Sequence, residues 1–152
     1  MKLLLDTTYF LPAIGISIRG LPREAYVKLV ELGPLIAISD ITFFELVAKG
    51  AKYVVAGVLE ADRVSKGLKA IVYDERISKI PIYDSAVLHM AFKLRSSLND
   101  FIDCLILSSA VNQSDALITE VDILNLRGRR EFQELIQTLN PKFTVQTLKD
   151  TL

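Results

Sequence analysis

The chain has 152 residues, 51% hydrophobic and 24% charged, and its eighteen basic side chains balance its eighteen acidic ones. That is enough chain for a single domain with a real core, and zero net charge excludes the global basic field of a dedicated nucleic-acid binder. One cysteine, Cys104, excludes an intrachain disulfide and fits a cytoplasmic protein, while one histidine, His89, excludes metal sites built on several imidazoles.

The apolar run KLLL at 2–5 is expected to be a strand buried on both faces. A helical stretch broken by Pro12 and Gly15 follows over about 8–19. The spacing predicts an amphipathic helix over 21–33, with Pro22 near its start and Gly33 at its stop. A short buried strand at 34–39 leads into a helix over 39–55 that Ser39 caps. Residues 60–80 are mixed: one helix, then a short strand around 80–83. Asp84 caps a helix over 84–98 and another spans 100–114, for which Asp100 reads as the cap. On these two helices His89 reads as structural or exposed, and Cys104 as a small buried hydrophobe. A strand at 115–119, a helix at 130–140 stopped by Pro141, and a last strand at 142–148 complete the chain.

Helices alternating with short apolar strands predict an α/β domain with a central, mostly parallel sheet flanked by helices. No stretch reaches the roughly 18 uncharged apolar residues of a membrane span. Asp6 and the lack of a small-residue cleavage site make the N-terminus part of the fold rather than a signal peptide. The basic run LRGRR at 126–130 reads first as a solvated helix start and second as a local nucleic-acid patch.

In open α/β sheets functional groups gather at the carboxyl ends of strands. Asp6 follows the first strand, and Glu120 and Asp122 follow the strand at 115–119. Asp103 lies at the start of the helix before that strand, and Glu45 about one turn inside the helix after the second. Four segments distant in sequence thus bring carboxylates to one sheet edge. Such groups repel one another unless a cation sits among them. Oxygen-only ligands suit Mg²⁺ or Mn²⁺, and such ions activate water and stabilise the leaving oxygen of a phosphodiester. Ordinary helix capping is the competing explanation for acids in these places.

Four short runs, in order, carry a family resemblance. LLLDTTYFL resembles the N-terminal motif of the PIN domain, the fold of VapC-type toxins and related nucleases. SDITFFELVAKG resembles its second motif, a Thr or Ser followed by a helical Glu. NDFIDCLILSSAVNQSDALITEVD resembles the third and fourth together, with Ala110 seven positions and Thr119 sixteen positions after Asp103. The resemblance spans residues 2–126 and implies a PIN-like three-layer sandwich. It further implies an endonuclease acting mostly on RNA, with Mg²⁺ or Mn²⁺ held by Asp6, Glu45 and Asp103. Thr7 or Thr8, and Thr119 on the other strand, would orient a carboxylate or a metal-bound water. The fourth acid is expected two positions after Thr119, where this chain has Val121. Glu120 and Asp122 flank that position as candidate ligands, Asp122 preferred.

The resemblance implies either a toxin with an antitoxin protein partner or, given a chain longer than compact toxins of this kind with the extra length at 48–80, a housekeeping RNA-processing enzyme, and the aliphatic surplus suggests a homodimer through helical faces. Val121 raises an alternative, a PIN-fold protein with a degenerate site serving as an RNA-binding or protein-interaction module. A receiver-type signalling domain would need paired acids after the first strand and a Lys after a late one. The chain supplies neither.

Overall fold

The computed structural model describes residues 1–120 and 122–151. Its strands form where short aliphatic runs lie between turn signals: β1 (Lys2–Leu5), β2 (Leu35–Ser39), β3 (Ile77–Ile80), β4 (Ala116–Ile118) and β5 (Thr144–Gln146). Between and after them run α1 (Ala25–Glu31), α2 (Asp40–Val55), α3 (Ala61–Val72), α4 (Ser85–Leu94), α5 (Phe101–Gln113), α6 (Arg130–Leu139) and α7 (Leu148–Thr151). Two 3₁₀ segments, Thr7–Ile14 and Asp122–Leu126, follow β1 and β4.

The strand order is β3-β2-β1-β4-β5, and all four pairings are parallel. The sheet is therefore wholly parallel, where the sequence suggested mostly parallel. Alternation along each strand divides the core between its two faces. Leu4, Ala37, Ile80, Leu117 and Val145 point to the side that carries α4, α5 and α6. Leu3, Leu5, Ile36, Ile38, Ala116 and Ile118 point to the side that carries the first 3₁₀ segment and α1–α3. Helices on both faces of a parallel sheet are the three layers expected of the α/β class.

Several boundaries move for local reasons. The strand expected at 80–83 ends at Ile80, because Pro81 has no N–H to donate to a ladder. The helical stretch at 8–19 is a 3₁₀ segment that stops where Gly15 turns left-handed at φ 101°. The helix expected over 21–33 starts only at Ala25 and closes at Gly33 with φ 100°. The helix expected over 84–98 stops at Leu94. The last strand is cut to three residues because Thr147 and Asp150 cap α7 reciprocally: Thr147 N donates to Asp150 Oδ2 and Asp150 N to Thr147 Oγ1. Ser39, Asp84 and Asp100 cap α2, α4 and α5 as expected. His89 is exposed and Cys104 buried. Among the described residues no helix is long and apolar enough to cross a membrane.

The chain winds outward through β1, β2 and β3, then crosses back to build β4 and β5 on the other side of β1. The order reverses between β1 and β4, and their carboxyl ends are where open α/β sheets place ligands.

Candidate active site

Asp6 sits at that reversal. It directly follows β1, and its N–H donates to Ile118 O of β4 at 3.0 Å. It caps the first 3₁₀ segment, its Oδ1 accepting from Thr7 N at 2.6 Å. Its Oδ2 accepts from Thr119 Oγ1, just beyond β4, at 2.7 Å. Asp6 is only 4% exposed. Burial pushes its carboxyl up, and the charge of Glu45 adds to this. The hydrogen bonds from Thr119 and Thr7 and the charge of Lys49 pull the other way without reversing it.

Thr7 joins β1 to α2. Its hydroxyl donates to Glu45 Oε1 and lies 3.2 Å from Thr42 Oγ1. A hydroxyl has one proton, so Thr7 donates to the carboxylate and accepts from Thr42. Thr42, Glu45 and Lys49 fall at i, i+3 and i+7 and so share one face of α2. That face looks onto Asp6 and Thr7.

Asp103 lies in the first turn of α5. Its carboxyl is raised from 3.8 to about 7, chiefly by burial and then by the charges of Asp6, Asp100, Glu45 and Asp122. Five carboxylates from four segments therefore share one field, and none of the five is in an ion pair among the described residues. Asp122 opens the second 3₁₀ segment. With Asp100, Asp103, Asn125 and Arg129 it lines a cleft of about 330 Å³.

Glu120 and Thr8 stand apart from this cluster. Glu120 Oε1 accepts from Tyr9 Oη and from Leu148 N, each at 2.7 Å, tying the first 3₁₀ segment to the start of α7. Burial and the neighbouring Glu120 push the Tyr9 phenol far up, so it stays a donor. Thr8 lines a separate groove of about 730 Å³ with Glu120, Arg19 and Lys149. Val121, where the fourth acid was expected, lies outside the described residues. Sequence reasoning passed over Tyr9 and Lys49 and gave Thr42 no role beyond its place in the second motif. Only Thr42 and Lys49 left a signal, their helical spacing from Glu45.

The donor set is all oxygen, hard and anionic, which fits Mg²⁺ or Mn²⁺. Asp6 keeps free lone pairs beyond the two hydrogen bonds it accepts. Among the described residues no three acids converge into a closed ligand shell. That arrangement suits an ion held by one or two carboxylates and otherwise by water and substrate oxygens, the habit of Mg²⁺.

No protein-family model and no curated protein matches the sequence. Solved structures do match. A chain of VapBC2 from Rickettsia felis, in a structure bound to a DNA fragment from their promoter, aligns with TM-score 0.60 at 19% identity, over 97% of this chain and 98% of that one. The fold is PIN-like. A toxin–antitoxin complex from Klebsiella pneumoniae gives TM-score 0.56 at 22% identity, over 84% of this chain and 92% of that one. VapBC-5 from Mycobacterium tuberculosis, of the VapBC family of toxin–antitoxin systems, gives 0.55 at 19%, over 96% and 98%. In this PIN-like fold, the four motif runs meet at the carboxyl edge of β1 and β4.

Proposed function

We propose that this chain is a Mg²⁺- or Mn²⁺-dependent endoribonuclease, the toxin of a toxin–antitoxin pair. The observation that carries this is the unpaired carboxylate field at the sheet's reversal point, with Asp6 buried and gripped at both oxygens. Natural structures keep such repulsion where function needs it. Asp6 and Asp103 would hold the ion directly, with Glu45, and Asp122 as the fourth acid in place of Val121, reaching it through water. Glu120 is the weaker candidate because Tyr9 and Leu148 already occupy its Oε1. A bound dication would activate a water and neutralise charge on the scissile phosphate.

The chain's own residues do the rest. Thr119 and Thr7 N fix the Asp6 carboxylate, so its remaining lone pairs are held in one orientation. Thr7, steadied by Thr42, fixes Glu45. Asp103 shares a proton with solvent near neutral pH in the metal-free protein, as a carboxyl raised to about 7 does.

The toxin role rests on likeness to chains in toxin–antitoxin structures. It brings an antitoxin protein partner that covers the site, and a cytoplasmic setting in keeping with one buried thiol. Phe44 and Val47, one turn apart on α2, are 64% and 50% exposed and offer an apolar face for a homodimer. A second reading, a PIN-fold module that binds RNA or protein without cleaving, is favoured by Val121 at the position where the fourth acid is expected.

The test is incubation of a panel of single-stranded and structured RNAs with Mg²⁺, Mn²⁺ or EDTA, with Asp6→Asn alongside. Metal-dependent internal cleavage that Asp6→Asn abolishes is expected. RNA retained intact by a protein that still binds it would favour the module.

A further inference from the structure

The basic run at 126–130 holds three arginines, and the structure separates them. Arg127 Nη1 pairs with Asp150 Oδ2 at 3.2 Å. Arg130 Nε pairs with Glu134 Oε1 at 3.0 Å, one helical turn along α6. Both are spent on local structure and largely exposed, which makes them worth little as a recognition surface. Arg129 differs. It precedes α6 without capping it, and among the described residues its guanidinium has no hydrogen bond and no ion pair. It lines the same 330 Å³ cleft as Asp103 and Asp122, with Asn125 between them in sequence.

Although it shares the cleft with Asp103 and Asp122, the guanidinium stays more than 4.0 Å from every carboxylate oxygen among the described residues. The cleft thus carries carboxylates and a guanidinium that are not paired with one another. At about 330 Å³ it lies at the small end of ligand pockets, roughly 300–1,000 Å³. A guanidinium presents a planar fork of donors matched to a phosphate's oxygens, and the Asn125 amide adds further donors.

We propose that Arg129, with Asn125, forms a phosphate-binding subsite that grips the RNA backbone one position away from the phosphodiester held at the acids. This deepens the nuclease reading and rests on it. Arg129 is a positioning residue: it touches a neighbouring phosphate, not the bond that breaks.

The test is fluorescence anisotropy of a labelled mixed-sequence, single-stranded oligoribonucleotide, titrated at several salt concentrations with Ca²⁺ present to neutralise the acids. Wild type, Arg129→Gln, Arg129→Lys and Arg130→Gln are compared. Arg129 is exposed, so its variants are expected to keep the wild-type melting curve. Arg129→Gln should weaken binding roughly tenfold and lower the slope of log K against log salt by about one. Arg129→Lys should keep that slope and recover part of the affinity, since it restores a point charge without the fork. Arg130→Gln should match wild type.

Failure of wild type to bind, an Arg129→Gln indistinguishable from wild type, or an equal loss in Arg130→Gln would overturn the subsite. The last result would mean a diffuse basic surface. Failure of the nuclease reading looks different: Arg129-dependent binding with no cleavage of the same RNA in Mn²⁺.

Discussion

Asp103→Asn should make the metal-free protein more stable at neutral and alkaline pH. Burial and four neighbouring carboxylates raise Asp103 from 3.8 to about 7. Between those values the folded state holds a proton that the unfolded state has released, so stability falls as pH rises through the window. The term is fully favourable below about pH 4 and lost above about pH 7. At about 1.4 kcal/mol per pH unit the shift corresponds to roughly 4 kcal/mol. Asp103 is only about half screened from solvent, which cuts this to about 1–2 kcal/mol. The amide keeps the shape and cannot ionise. For a chain of this length that is a rise in Tm of roughly 2–8 °C at about pH 8. The gap should close below about pH 4, where the wild-type carboxyl is protonated too. Thermal unfolding followed by circular dichroism in EDTA, across this pH range, reads it directly. A variant no more stable than wild type at about pH 8, or a gap independent of pH, would refute the account of a strained acid cluster.

Thr7→Val removes the hydroxyl that links Glu45 and Thr42, and should cost about 1–2 kcal/mol in chemical denaturation while lowering RNA cleavage by releasing Glu45. Gly67→Ala should cost about 1–3 kcal/mol, because the Ala13 carbonyl of the first 3₁₀ segment stands where the new Cβ must go. Its cleavage rate per folded molecule should be unchanged. Tyr9→Phe should cost about 1 kcal/mol and speed hydrogen exchange at the Leu148 amide, since Glu120 loses one of the two donors that anchor it. Its metal affinity should match wild type, because Glu120 stands outside the acid cluster.

The sheet was legible wherever aliphatic runs are short and buried on both faces, as at β1 and β2. Asp6 could be located at a strand end because KLLL cannot be much else. The edges of the sheet were harder. The Pro81 stop and the Thr147–Asp150 cap are written in single residues, and they override runs that look extended by composition. At the site, spacing identified the acid-bearing segments but not their hydrogen bonds. Glu120 and Asp122 are near-equivalent in sequence, yet one is held by Tyr9 and Leu148 while the other opens onto the Asp103 cleft. That difference depends on where α7 packs, a long-range contact no local pattern reveals. The arginines at 126–130 were likewise a single patch in sequence. Only the positions of Asp150 and Glu134 divide them.

The central claim is that the acids at the β1–β4 reversal hold a divalent ion. Titration of Mn²⁺ followed by the electron paramagnetic resonance signal of the free ion tests it without reference to any substrate. Stoichiometric uptake by wild type, lost in both Asp6→Asn and Asp103→Asn and displaced by Mg²⁺, is the predicted result. No uptake by wild type, or uptake that survives both substitutions, would contradict it.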